Sequence, residues 1–153
     1  MKANRSNCSL STSLDIIGDK WSLIIFRDIM ILRKKTFTEF LKSSEKIATN
    51  ILANRLDMMT KNGLLKFTKM PNDQKTKFYY LTDSGIDLFP IVLEMILWSH
   101  RNLDKTFGPF SQRIISESKI HTVDEIIASE NTAYRSYRQN ILAKAKQDSI
   151  PFP

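Results

Sequence analysis

The chain has 153 residues, 42% of them hydrophobic, which is enough for one buried core plus an extension. A formal net charge of +7 and a sequence pI near 9.6 favour a polyanionic partner, nucleic acid ahead of anionic membrane. The single cysteine, Cys8, excludes an intramolecular disulfide and a cysteine-cluster zinc site, and no apolar run approaches the ~20 residues that span a bilayer.

The N-terminus MKANRSNCSLS lacks an apolar signal core, so a cytoplasmic protein is expected. Leu10, Leu14 and Ile17 mark a first short helix ending near Gly18. Trp21 to Leu32 is apolar around most of its circumference, as a central buried helix would be. Thr36 and Glu39 form a capping-box pair for a third helix, with Phe37, Phe40 and Leu41 inward, and Lys42 to Lys46 is a turn. A fourth helix over roughly Ala48–Asn62 sets Ile51, Leu52, Leu56 and Met59 on its core side, and Asn62-Gly63 supplies a left-handed stop. Leu64–Met70 and Lys77–Leu81 read as antiparallel strands about a polar turn at Pro71–Thr76. Thr82 caps a long helix reaching about Leu103, in which Pro90 should cause a bend. Gly108-Pro109 is a linker signal. Beyond it Phe110–Ser118, Thr122–Ser129 and Thr132–Gln147 look helical, with Thr122 and Glu125 as a second capping box. The tail carries an apolar stripe of Tyr134, Tyr137, Ile141, Leu142 and Ala145 but little core of its own, so it should pack on the main body or on a second subunit.

A helix followed directly by a two-stranded polar hairpin is the order of a winged helix-turn-helix DNA binder. The charge follows the same segment. Residues 33–77 hold eleven Lys and Arg against four acids, a surplus of seven that equals the net charge of the whole chain. In a helix-turn-helix protein the N-terminal half of the second helix meets base edges. Here Thr49, Asn50, Ala53, Asn54 and Asp57 face away from the core. An asparagine amide can pair bidentately with adenine and a threonine methyl can touch that of thymine. Lys46 and Arg55 suit phosphates, which position the protein without reading sequence. The bland reading of the asparagines is a solvated face. On the wing, Lys69, Asn72, Lys75 and Lys77 suit the minor groove or a phosphate, while lysine on an edge strand also protects against aggregation. Of Tyr79 and Tyr80, adjacent on a strand, one must face the core and one outward.

A search for chemistry comes back empty. His100 and His121 lie near no metal ligand at a diagnostic spacing, and four scattered glycines form no phosphate loop. We therefore expect no enzyme, no metal and no cofactor.

These residues resemble a known family. Cys8, then Leu14-Asp15-Ile16-Ile17-Gly18-Asp19-Lys20-Trp21 and Ile24-Ile25-Phe26-Arg27-Asp28, are similar to the opening of HxlR-type transcriptional regulators. Phe37-Thr38-Glu39-Phe40, Ile47 with Leu52, Arg55-Leu56 and Asn62-Gly63-Leu64, and Tyr79-Tyr80-Leu81-Thr82 with Gly85 follow in the family's order, as do Pro90 and Trp98. The resemblance covers about residues 8–102. It implies a homodimeric winged helix-turn-helix repressor or activator whose first and last helices make the dimer. It also implies that Cys8 stands where several such regulators carry a redox or electrophile sensor. Lys2, Arg5 and the helix N-terminus would favour its thiolate, although a lone cytoplasmic cysteine is usually a small packing residue. Ala48 departs from the family's usual capping serine, so the cap should come from elsewhere, and residues 104–153 extend past the family's usual end.

The expected architecture is mainly α with a small β-wing: a winged helix-turn-helix DNA-binding and dimerisation domain over 1–103 and a helical C-terminal extension over 104–153. Leu10, Leu14 and Ile17, with Leu88, Ile91, Val92, Met95 and Trp98, offer more apolar surface than one small core needs, as a dimer interface would. The expected partner is double-stranded DNA carrying a palindromic operator, with no membrane role. No residue set specifies a small-molecule effector. The alternative is a winged-helix module that binds protein through the same surface.

Overall fold

The computed structural model describes residues 7–147. Helix α1 (Ser9–Ile17) is followed at once by α2 (Lys20–Met30), whose first turn is capped by the Asp19 carboxylate accepting from the N–H groups of Trp21 and Ser22. Helix α2 buries Ile25, Phe26, Ile29 and Met30 and is the central helix its composition predicts. Helix α3 (Phe37–Leu41) opens with the expected reciprocal Thr36–Glu39 capping box. Helix α4 (Thr49–Lys61) turns Leu52, Leu56 and Met59 inward and stops at Gly63, whose φ of +73° is the left-handed conformation a side chain would resist.

Strands β1 (Leu65–Met70) and β2 (Asp73–Leu81) pair antiparallel, with Leu65 opposite Leu81 and Phe67 opposite Tyr79. Tyr79 is the core-facing member of the tyrosine pair and packs its ring against Phe40 and Phe67, at centroid distances of 6.2 and 5.8 Å. The hairpin differs from the sequence reading in that β2 begins at Asp73 rather than Lys77. A wing that projects into solvent has no apolar face, so the alternation that marks a half-buried strand is missing.

Two further boundaries differ. The helix expected from Thr82 to Leu103 is two helices, α5 (Asp83–Ile86) and α6 (Phe89–Asn102). Pro90 does not bend a long helix; it sits in the first turn of α6, where its missing N–H has no intrahelical partner to lose. Beyond α7 (Pro109–Glu117), the two last helices expected at Thr122–Ser129 and Thr132–Gln147 are one, α8 (Val123–Gln147), opened by the Thr122–Glu125 capping box. The polar run Ser129-Glu130-Asn131-Thr132 imitates a boundary because the same residue types favour caps and turns.

Phe26, Ile29, Met30, Leu52, Leu65, Leu81, Ile86, Phe89 and Leu93 form one core, and Tyr134 of α8 is fully buried within it. Of the apolar residues assigned by sequence to an interface, Ile17 and Val92 are buried in this core, whereas Leu10, Leu14, Ile91, Met95 and Trp98 are exposed.

Candidate nucleic-acid interface

The helix-turn-helix is α3, the turn through Lys46, and α4, and it rests on charged groups at the end of α2. Asp28 is 1% exposed on a helix otherwise sunk in apolar side chains. Its carboxylate accepts from the Arg27 guanidinium at 2.7 Å, from Lys34 Nζ at 3.0 Å and from the hydroxyl of buried Ser43. Arg27 reaches on to Glu45 with two donors, at 2.6 and 3.0 Å. Ser43 and Glu45 both lie in the turn, so α2 fixes that turn through charge-assisted hydrogen bonds, the strong kind, buried at Ser43 and exposed at Glu45. Lys46 then takes a left-handed φ of +54°, which redirects the chain into α4.

The Arg27 hydrogen bonds hold the Glu45 carboxyl down from an ordinary 4.5 to about 2. A depressed acid stabilises the folded state above its unfolded pKa and ceases to do so as pH falls through the folded value. The turn should therefore keep its full stability down to about pH 4.5 and loosen progressively between there and about pH 2. A pH titration of amide exchange at Ser43–Lys46 checks this, and Glu45→Gln should abolish that portion of the acid dependence.

Ala48 supplies no side-chain cap to α4, and among the described residues no other side chain replaces it. The cap expected from elsewhere is absent among the described residues, so the first-turn N–H groups of α4 have no side-chain acceptor there. Thr49, Asn50, Ala53, Asn54 and Asp57 are all exposed, and Asp57 pairs with Lys61 one turn on, at 2.7 Å. Arg55 is different. It is partly buried and ion-paired to Asp19 at 3.2 Å, tying α4 to the cap of α2. On the wing, Lys69, Asn72, Lys75 and Lys77 are exposed, with the Lys77 ammonium 4.4 Å above the Phe67 ring. Opposite Lys69 alone stand residues 74–77 of β2, an irregularity that carries Lys75 and Lys77. Asp73 shapes this bend by accepting from the N–H groups of Lys75 and Thr76. A cleft of about 260 Å³ between α3 and the wing is lined by Thr36, Thr38, Lys75, Lys77 and Tyr79.

The charge surplus of residues 33–77 is thus not all available. Lys34 and Arg55 are committed to Asp28 and Asp19, and Arg33 lies against Glu130 of α8. Lys42, Lys46, Lys66, Lys69, Lys75 and Lys77 remain exposed. The sequence reading counts Lys42 and Lys66 in the surplus without assigning them a contact, and it does not show the network beneath the turn. The adjacent charges Arg27-Asp28 in an otherwise apolar helix are the signal that could have shown the latter.

The three-helix core, the turn on its charged support and the basic hairpin after α4 define a winged helix-turn-helix protein. The chain belongs to the HxlR-like helix-turn-helix family, whose model matches residues 16–107. It is 34% identical over 101 residues to the uncharacterized HTH-type transcriptional regulator YybR of Bacillus subtilis, covering 66% of this chain and 80% of YybR. Among solved structures it resembles PA1607, described as a candidate transcription factor, with 31% identity, a TM-score of 0.62 and coverage of 71% of this chain and 76% of that one. The redox regulator HypR in its reduced form is 34% identical, with a TM-score of 0.55 and coverage of 63% and 95%. Among the described residues no helix is long and apolar enough to cross a membrane.

Proposed function

We propose that the protein is a sequence-specific, double-stranded-DNA-binding transcriptional regulator acting as a homodimer, with α4 in the major groove and the wing on the backbone or minor groove. One observation carries the reading: α4 offers Thr49, Asn50, Ala53 and Asn54 as exposed residues, with exposed Lys46 just before it in the chain and the lysine-bearing wing just after it. Asparagine at such positions discriminates adenine, and lysines at phosphates supply the sequence-independent affinity. Arg55, shared with Asp19, is the weakest of the contacts assigned from sequence. The regulator names of YybR and HypR support the same reading. Leu10 and Leu14 of α1 with Met95 and Trp98 of α6 are each at least half exposed. A two-fold partner would cover these side chains and set two α4 helices about 34 Å apart on a palindromic site. Gel retardation on genomic fragments at stepped salt tests the proposal. Binding that falls steeply with salt supports it, and no retardation even at low salt favours a protein partner instead.

Asn50→Ala or Asn54→Ala should relax discrimination at the contacted base pair by about 1–3 kcal/mol. Lys75→Ala should instead weaken specific and non-specific binding together and flatten the salt slope by about one. Unchanged discrimination in both asparagine variants, measured by competition against single-base operator variants, would place the reading face elsewhere.

Cys8 is exposed at the start of α1, beside the apolar residues assigned to the dimer. Lys2 and Arg5, which the sequence offered as thiolate-favouring neighbours, lie outside the described residues. We assign Cys8 the sensing role that the resemblance implies. With no second cysteine in the chain, oxidation can give a Cys8–Cys8 disulfide between protomers, a mixed disulfide with a small thiol or an adduct. With protein thiols alone present, diamide joins Cys8 of two protomers and takes up both electrons and both protons. Diamide should then yield a reducible covalent dimer and a changed DNA affinity in the wild type, and neither in Cys8→Ser. Equal responses of the two proteins would leave Cys8 a packing residue.

A further inference from the structure

Three consecutive residues between α2 and α3 are each tied to a different part of the molecule. The Lys34 ammonium reaches Asp28 and Ser43 beneath the helix-turn-helix turn. The Lys35 carbonyl accepts from Tyr79 N–H of the wing at 2.7 Å, and its own N–H donates to Glu39 of α3. Arg33 is held by the C-terminal helix. Its carbonyl accepts from Tyr137 Oη–H at 2.7 Å, its guanidinium lies 5.1 and 5.5 Å from the centroids of the Tyr134 and Tyr137 rings, and Glu130 stands 3.8 Å away. Arg33 also has a left-handed φ of +57°, a conformation that side chains resist unless the surroundings impose it.

The same helix holds the base of the wing. Leu81 ends β2, and its N–H points into the core, where it donates to Tyr134 Oη at 2.9 Å. Its carbonyl accepts from Arg138 at 3.0 Å, and Arg138 continues to Asp83 at the start of α5, 2.9 Å away. A two-stranded wing leaves its outer edge without ladder partners, and at Leu81 those partners come from α8 side chains. The family match ends at residue 107, so these contacts lie beyond what the family explains.

We infer that α8 is a brace for the DNA-reading elements, in which Tyr134, Tyr137 and Arg138 are positioning residues that hold the wing base and the α2–α3 loop in one mutual geometry. The inference rests on the DNA-binding reading above. A wing pivots about its base, so a small angular freedom at Leu81 becomes a displacement of several ångströms at Lys75, and its lysines still meet phosphates but no longer in the one register that a base-reading α4 requires. The brace therefore governs specific binding more than non-specific binding, because the latter tolerates a mobile wing.

The test uses the full-length protein with Tyr137→Phe, Tyr134→Phe and Arg138→Gln, and a duplex selected from a random library by the wild type. Tyr137→Phe is the mildest change, since it removes one hydroxyl from a half-buried ring. Lys144→Ala, on the exposed side of α8, is the control. At a temperature where every variant is folded, amide exchange in residues 33–36 and 79–82 should quicken about tenfold in the brace variants. Their affinity for the selected duplex should fall about tenfold, while affinity for a scrambled duplex and the dimer content stay at wild-type values. Equal loss on both duplexes, or unchanged affinity once folded, would overturn the brace. If the wild type selects no duplex, the DNA-binding reading falls. The brace is then decided by exchange alone, and unchanged exchange in Tyr137→Phe and Arg138→Gln would overturn it.

Discussion

Asp28→Ala should lower the stability of the protein by about 3–5 kcal/mol, because it removes the buried carboxylate at the centre of a charged network and leaves Lys34 and Ser43 without it, while Arg27 keeps Glu45. The Asp28 side chain is 2% exposed and serves Arg27, Lys34 and Ser43 together. Without it the Lys34 ammonium, whose side chain is 20% exposed, has no carboxylate partner, and Ser43 loses its acceptor. A loss of that size is a large part of the ~5–15 kcal/mol that a domain of this kind possesses. Urea denaturation gives the number, read as a shift in midpoint at constant slope. Asp28→Asn separates the causes. It keeps shape and some hydrogen bonding, so a similar loss assigns the effect to charge. A loss below about 1 kcal/mol in both variants would mean the network relaxes around the gap and does not fix the turn.

Elements with a packed face were legible in the sequence, and elements without one were not. Helix α2 showed itself by an almost unbroken apolar circumference, and α4 by Leu52, Leu56 and Met59 recurring at helical spacing before Gly63. The start of β2 was illegible because Asp73–Lys77 projects into solvent and shows no alternation. The break before Pro90 went unread because a proline is compatible with a bent helix and with a new one. Which applies depends on whether the preceding N–H groups find partners in three dimensions. Here Asp87 and Leu88 close α5 by donating to Asp83 and Gly85 carbonyls, and α6 starts afresh.

The reading face shows a similar division. Exposure of Thr49, Asn50, Ala53 and Asn54 follows from helix periodicity once the core side of α4 is known. The fate of the cations does not, because it depends on carboxylates far away in sequence. Asp19 is 36 residues from Arg55, yet it draws that side chain away from solvent. The tail was the least legible part. Its stripe of Tyr134, Tyr137 and Ile141 announced burial but not the surface that receives it. The receiving groups, Leu81 N–H and the Arg33 carbonyl, are backbone atoms with no signature in composition.

Gly85→Ala should be as damaging as any single methyl group added to this fold. A Cβ at Gly85 would stand 2.2 Å from the Leu64 carbonyl oxygen and 3.1 Å from the Leu81 side chain. The first contact is with backbone and cannot be relieved by a rotamer change. That carbonyl accepts from Thr82 N–H at 3.1 Å and lies just before β1, so it joins the start of the wing to the start of α5. Thr82 in turn caps α5 through Gly85 N–H. Moving the Leu64 carbonyl away from the new methyl therefore strains a backbone bond and a cap together, and about 3 kcal/mol or more should be lost in denaturant titrations. Surviving folded protein should bind DNA with a displaced wing, so its affinity for a selected duplex should fall more than its affinity for a scrambled one. Gly63→Ala is the informative comparison. Nothing lies within 4 Å of a Cβ there, and only the φ of +73° resists substitution, so its cost should be about 1 kcal/mol. If the two variants were equally stable, the close approach of α5 to the wing would have to relax freely, and the wing could not be held at a fixed angle to α4.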